Sequence, residues 1–118
     1  MDIDYSFNEK IIIVPKNYKI KFKIEKEITK HYAFIGIGTI VNNYPLLAEG
    51  SNEFNLSIAA LNFPLDCIYK DVNKELLNYA PYELILIILS TCKDLNDVRK
   101  IINKLNIINI PFNNDINF

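Results

Sequence analysis

The first half of the chain shows patterns of apolar and polar residues that predict β-strands. Lys10–Val14 is an apolar run that Pro15 ends. In Lys19–Ile24, lysines alternate strictly with apolar residues, which predicts a strand with one solvent-exposed face or an edge strand protected by lysines. This row of lysines is interpreted either as a solvated face or as a patch for an anionic ligand. Tyr32–Val41 is almost continuously apolar, which predicts a strand that is covered on both faces.

The stretch from Gly50 to Pro64 predicts a turn followed by another strand. Its first residues favour turns, and Asn55 tolerates a positive φ. From Leu56 onward the alternation predicts a strand that ends at Asn62, just before Pro64. An amide side chain at a strand end, between apolar neighbours, is well suited to donate to an oxyanion. The alternative is that Asn62 only closes a turn.

Short polar or glycine-containing motifs interrupt these strands. Gly36 and Gly38 lie inside an apolar strand, which predicts a bulge or a close backbone approach rather than a phosphate loop. Asn42-Asn43 predicts a tight turn. His31, the only histidine, lies at a charged strand start and is expected to be solvated rather than catalytic.

The second half of the chain predicts two helices, near residues 81–92 and 94–106. Pro81 suits an early helical position, and the apolar run Leu84–Leu89 predicts a helix that is buried on most sides. Asp94 is the expected N-cap of the second helix, with Asp97 three residues later. Strands followed by helices predict an α+β fold, in which an antiparallel sheet of four to six strands carries helices layered on one side. The first helix needs more cover than 118 residues are expected to supply.

Composition narrows the classes of function. Half of the 118 residues are hydrophobic, so residues 1–118 suffice for a single domain or for part of a larger one. A net charge of −1 without a basic stripe argues against nucleic acid, and no apolar run is long enough to span a membrane. Cys67 and Cys92 lack metal-site spacing and are expected to be free thiols in a reducing cytoplasm. Acidic residues near Met1 argue against a signal peptide.

An ordered set of motifs resembles the choloylglycine hydrolase family, which includes bile salt hydrolases and penicillin V acylases. The resemblance extends over essentially the whole chain. The motifs that carry it, in chain order, are Met1–Phe7, Ile12–Tyr18, Gly36–Thr39, Tyr44–Pro45, Gly50–Pro64, Ala80–Leu84 and Asn109–Pro111.

This resemblance implies an N-terminal nucleophile hydrolase fold, a four-layer αββα sandwich, of which the chain holds one part. It implies hydrolysis of a linear amide by a cysteine that becomes residue one after processing, with its α-amino group handling the proton and with no metal or cofactor. Asn62 matches the first oxyanion-hole asparagine of the family, and Asp2 matches the carboxylate beside the nucleophile's amino group. The residues that match substrate-pocket loops or flank the two catalytic positions are Met1, Ile3, Tyr5, Phe7, Thr39 and Phe63.

The sequence also departs from the family pattern. Neither Cys67 nor Cys92 matches the nucleophile, and we expect the chain to lack the segment that carries this cysteine in relatives. Two hypotheses follow. The chain is the N-terminal part of an amide hydrolase that is truncated at both ends and is inactive alone, or it is a stand-alone non-catalytic module for an apolar acyl or steroid ligand or a protein partner. In both cases an open sheet face is expected to promote self-association.

Overall fold

The computed structural model describes residues 8–60 and 71–110, and it confirms the α+β class. The main sheet has four strands in the order β1-β2-β3-β4, and every neighbouring pair is antiparallel. Its strands are β1 (Lys10–Val14), β2 (Phe34–Val41), β3 (Tyr44–Asn52) and β4 (Ser57–Ala59).

The second half forms a layer on one face of this sheet. A 3₁₀ turn at Pro81–Glu83 leads into α1 (Leu84–Thr91), and α2 (Leu95–Ile102) follows. Two short strands, β5 (Leu77–Tyr79) and β6 (Leu105–Ile107), pair in parallel beside the helices. The expected second helix ends at 102 rather than 106, because the residues after it turn back to pair with β5. None of the helices in the described part of the chain is long and apolar enough to cross a membrane.

Other parts of this chain cover helix α1 on both sides. The expectation that 118 residues cannot bury this apolar helix is therefore wrong. Leu86 and Leu89 pack against the sheet, in a cluster with Leu47 of β3. On the other side, Ile87 and Ile88 pack in a cluster with Tyr79 of β5 and with half-buried residues of α2 and β6. Sequence periodicity could not reveal this cover, since β5 and β6 are only three residues long and lie 25 residues apart along the chain.

The other face of the main sheet is apolar and open within the described residues. Ile11 and Ile13 of β1 are 75% and 73% exposed, and Ile35 of β2 is 45% exposed. The expectation that Tyr32–Val41 is covered on both faces is therefore wrong for the described structure: Phe34 faces the helices and Ile35 faces outward. A shallow groove of about 550 Å³ runs along this face.

The lysine-rich segment does not form the strand that its alternation predicts. Residues 19–24 make a single bridge, in which Ile20 and Ile28 exchange backbone hydrogen bonds of 3.0 and 2.9 Å. The alternation still predicts which side chains are buried. Ile20 is buried in the cluster that contains Leu47, whereas Lys19 and Lys21 are exposed. The segment is thus an anchored loop with one row of lysines in solvent.

His31 is buried rather than solvated, which corrects the expectation from sequence. Its side chain is 8% exposed, and its two ring nitrogens each lie 2.7 Å from a backbone carbonyl, of Tyr32 and of Tyr18. The ring fastens the lysine-rich loop to the start of β2. Its charged neighbours in the sequence gave no sign of these two carbonyl partners, since one of them lies 13 residues away.

The predicted cap of α2 and the predicted turn at Asn55 are confirmed in part. Asp94 caps α2 by accepting a hydrogen bond of 2.9 Å from the backbone N–H of Asp97. The Asp97 carboxylate accepts from the N–H of Lys93 instead of completing a capping box. Asn55 adopts a positive φ of 64°, as expected. The turn before it is shorter than predicted, because Gly50–Asn52 still belong to β3.

Candidate functional site

One end of the main sheet brings together the described parts of the chain that adjoin the predicted catalytic residues. Lys10, where β1 begins, pairs with Gly38 of β2, and Gly38 pairs with Leu47 of β3. Ala59, where β4 ends, pairs with Glu49 of β3. The chain therefore enters β1 and leaves β4 at the same level of the sheet, about 14 Å apart across three strand spacings.

The β2–β3 hairpin projects beyond this level. Three further residue pairs, starting with Thr39 and Leu46, extend past Gly38 to the turn at Asn42-Asn43. Both turn residues have positive φ, of 52° and 65°, as a two-residue hairpin of the primed type requires. The turn predicted from the sequence is confirmed.

A bulge shapes the sheet at this same level. The pairing register shifts between Ile37 and Gly38, so that Ala48 of β3 is the extra residue. The carbonyl of Ala48 then accepts a hydrogen bond of 2.8 Å from the N–H of Ala60, just after β4. Gly38 is required because a Cβ there would overlap the carbonyl oxygen of Leu46. The close approach predicted from the two glycines is confirmed.

A buried side-chain amide attaches the β3–β4 hairpin to α1. Asn52 is 5% exposed, and its Nδ2 donates to the carbonyls of Leu89 at 3.1 Å and of Cys92 at 2.6 Å. Its Oδ1 accepts from the N–H groups of Phe54 at 3.0 Å and of Leu56 at 3.2 Å. The amide thus binds both the end of the helix and the turn that leads into β4.

A buried acidic and aromatic cluster packs against the projecting hairpin beside its turn. The ring of Tyr44 packs edge-on against Tyr82, with centroids 5.8 Å apart. Burial, together with the nearby carboxylate of Glu83, raises the pKa of both phenols, so that they stay neutral. Glu83 itself is 1% exposed, and burial raises its pKa although it accepts hydrogen bonds from the N–H groups of Ala80 and Lys23.

Neither candidate for acyl transfer chemistry in the described part of the chain is placed to act. Cys92 is buried at the end of α1, and this burial raises the pKa of its thiol, which disfavours the nucleophilic thiolate. Both ring nitrogens of His31 are occupied by backbone carbonyls. Within the described residues, Cys92 and His31 therefore do not form a nucleophile and its base.

Of the residues predicted to form the site, the structure describes only Thr39. It is half-buried in β2 at the foot of the projecting hairpin, opposite Leu46. The other predicted residues, which are Met1, Asp2, Ile3, Tyr5, Phe7, Asn62 and Phe63, lie outside the described residues, as does Cys67. Their roles remain predictions.

Comparison with known proteins decides the family. The linear amide C–N hydrolases of the choloylglycine hydrolase family match residues 1–117 of this chain. The chain belongs to the choloylglycine hydrolase family. A bile salt hydrolase/transferase of Clostridium perfringens is 39% identical over 121 residues, and one of Lactiplantibacillus plantarum is 37% identical over 115 residues. Each alignment covers 98% of this chain but only 36% of the relative.

Solved structures of the family share the fold. The crystal structure of a variant of conjugated bile acid hydrolase from Clostridium perfringens matches with a TM-score of 0.89 at 38% sequence identity. The match covers 100% of this chain and 37% of that chain. The predicted membership and fold class are confirmed, and the chain corresponds to the N-terminal part of a choloylglycine hydrolase.

Sequence reasoning missed the residues that position this part of the hydrolase fold. Asn52 lies in the stretch whose sequence predicts only a turn, and Glu83 lies beside Pro81 at the predicted start of a helix. Asn52 followed by Glu53 and Phe54 is a typical start of an Asx turn, which could have indicated the two local hydrogen bonds. No local signal indicates the two helix carbonyls, which belong to residues 37 and 40 positions further along.

The bulge gives a testable prediction. Replacing Gly38 by Ala forces a methyl group into the carbonyl of Leu46, so we expect a loss of about 3 kcal/mol in the free energy of unfolding. Urea unfolding followed by circular dichroism measures the loss. Ile40→Val, in the exposed part of the same strand, is the matched control and is expected to stay within about 0.5 kcal/mol of the wild type. A Gly38→Ala chain as stable as this control would contradict the assigned close approach.

Proposed function

We propose that these residues form the N-terminal part of a cysteine-dependent amide hydrolase that acts on conjugated bile acids. The observation that carries this proposal is the common level at which the chain enters β1 and leaves β4. Asn62 follows Ala60 by two residues, and Asp2 precedes Lys10 by eight. At roughly 3.3 Å per extended residue, both side chains can reach the space beside the projecting hairpin.

In this proposal the chain contributes oxyanion binding and part of the pocket. The family's chemistry begins with attack of an N-terminal thiolate on the amide carbonyl, while the α-amino group handles the proton. The Asn62 amide donates a hydrogen bond to the oxygen as it becomes negative, and Asp2 lies beside the α-amino group. Thr39 and the hairpin after it form a wall of the pocket. The names of the relatives favour a conjugated bile acid over penicillin V as the substrate.

We further propose a cytoplasmic location, and that the 118 residues alone do not turn over substrate. The buried free thiol of Cys92 is in keeping with a reducing compartment. Both ring nitrogens of His31 face backbone carbonyls, so neither is directed at a thiol. An oxyanion donor without a nucleophile stabilises an intermediate that does not form.

The test compares the chain with a chimaera. Incubated with taurocholate, glycocholate or penicillin V, the 118-residue chain is expected to release no amine above the buffer control. A chimaera in which these residues replace the matching part of the Clostridium perfringens hydrolase is expected to hydrolyse the bile acid conjugates. In the chimaera, Asn62→Ala should lower kcat by about 10²–10³-fold, the typical effect of losing one oxyanion donor.

The matched control for this test is Asn96→Ala, an exposed position on α2 that should leave kcat unchanged. Turnover by the 118 residues alone that disappears in a Cys67→Ala variant would overturn the proposal that the chain is inactive by itself. An active chimaera whose kcat does not respond to Asn62→Ala would remove the proposed oxyanion role.

A second candidate function, the binding of an apolar ligand or partner without catalysis, is favoured by the open sheet face. The groove of about 550 Å³ on this face is lined mainly by apolar atoms, including those of Ile11, Ile35 and Ile37. Exposed apolar surface of this kind also promotes association between copies of the chain. We therefore propose that the chain self-associates through the isoleucine face, meaning the outward side chains of Ile11, Ile13 and Ile35.

Sedimentation velocity tests this association. The wild-type chain is expected to form dimers or larger species as its concentration rises. A double Ile11→Lys, Ile13→Lys variant should be shifted towards monomer, because charges on the face oppose its burial. The matched control is a double Leu95→Lys, Ile102→Lys variant on α2, where the side chains are similarly exposed. A compact wild-type monomer at every concentration would contradict the proposal.

A further inference from the structure

Positive charge is concentrated in one segment of the chain. Residues 16–30 contain six lysines and two glutamates, whereas the remaining residues contain seven lysines and arginines and twelve carboxylates. The chain as a whole carries −1, so this segment is a positive region on an otherwise acidic molecule. Such a concentration of one sign attracts ligands of the opposite charge.

The structure places part of this positive segment against the projecting β2–β3 hairpin. The hydroxyl of Tyr18 donates a hydrogen bond to the carbonyl of Asn43 in the hairpin turn. Lys19 and Lys21 line a concavity of about 380 Å³ together with Tyr18 and Asn43. The concavity therefore lies on the projecting hairpin, which begins at Thr39 and is proposed above to form a wall of the pocket.

The side chains of both lysines at this concavity are free to bind an external anion. The intervening Ile20 is almost fully buried, so the backbone there is anchored while Lys19 and Lys21 lie in solvent. Lys19 makes a long ion pair of 3.7 Å with Glu27, and both side chains are about half exposed. No carboxylate in the described parts of the chain forms an ion pair with Lys21. Exposed pairs of this kind are weak, so Lys19 can exchange its partner.

We propose that Lys19 and Lys21 form a rim site that captures the anionic headgroup of an amphiphilic substrate before it enters the pocket. This inference rests on the proposed function, since a conjugated bile acid carries a carboxylate or a sulfonate at the end of its amide-linked group. The two ammonium groups bind that anion, and the ring of Tyr18 offers an apolar surface beside them. The site raises the local concentration of substrate next to the hairpin and takes no part in bond cleavage.

Binding to the 118-residue chain tests the rim site directly. The dissociation constant is measured for taurocholate, for the uncharged methyl ester of glycocholate and for taurine alone, all below micelle-forming concentrations. At low salt, of about 20 mM, taurocholate is expected to bind more tightly than the ester, and this preference should shrink at about 300 mM because salt screens exposed charges. Taurine, with no apolar body, should bind more weakly than taurocholate.

A double Lys19→Gln, Lys21→Gln variant should weaken taurocholate binding by about three- to tenfold at low salt, because each exposed charge pair contributes only modestly. Its affinity for the ester should stay the same. Lys100→Gln with Lys104→Gln is the matched control, since it removes the same charge at the end of α2 and should change neither affinity. A Lys19→Arg, Lys21→Arg variant should retain the preference, and far-UV circular dichroism verifies the fold of each chain.

Three outcomes would overturn the rim site. In the first, the wild-type chain does not bind taurocholate. In the second, it binds taurocholate and the ester equally well. In the third, the double glutamine variant still prefers taurocholate to the ester. The dissociation constants report binding and do not depend on hydrolysis. A failed rim site therefore leaves the chimaera test of hydrolysis standing, and an inert chimaera leaves the binding result standing.

Discussion

The buried amide of Asn52 is the interaction on which the arrangement of the sheet and the helix layer depends. It donates to two carbonyls at the end of α1, where the helix has no N–H groups left to offer, and it accepts from two N–H groups in the turn before β4. All four hydrogen-bonding sites of the side chain are used. Buried polar groups that lose such a partner cost about 1–3 kcal/mol each, so the hairpin and the helix end are held together strongly.

The position of the candidate site follows from this attachment. The turn held by Asn52 leads into β4, which leaves the sheet at Ala60 with a hydrogen bond to the bulge residue Ala48. The same helix end is bound to the start of β2 through the N–H of Tyr32 and the carbonyl of Ser90. Strands and helix are therefore fixed relative to each other before the chain reaches Asn62. The oxyanion role proposed for Asn62 would benefit from such a rigid support.

The features that could be predicted from the sequence are those encoded by neighbouring residues. The Asn42-Asn43 turn, the bulge at Gly38 and the cap at Asp94 each depend on the conformational preference or side-chain reach of one or two residues. The antiparallel sheet and the helix layer were predicted from the succession of patterns along the chain, and family membership was predicted from motifs that local physics does not explain.

The features that were missed depend on partners far away in the sequence. His31 is buried because of a carbonyl 13 residues earlier, and Glu83 because of an N–H 60 residues earlier. The pair of β5 and β6 is too short to show a period. The alternation in Lys19–Ile24 predicted the correct exposed side but the wrong backbone, since only Ile20 finds a strand-like partner. For the site itself, only Thr39 can be placed, and the catalytic roles still rest on the resemblance.

The most direct test of the account is amide hydrogen exchange in an Asn52→Ala chain, with Asn96→Ala as the control. If the Asn52 amide holds the hairpin on α1, protection of the N–H group of Ala60, which donates to the Ala48 carbonyl and not to Asn52, should fall by tenfold or more. This corresponds to about 1.4 kcal/mol. Amides shared between β1 and β2 should lose less. Unchanged protection at Ala60 would contradict the account, because the hairpin would then be held in place without this side chain.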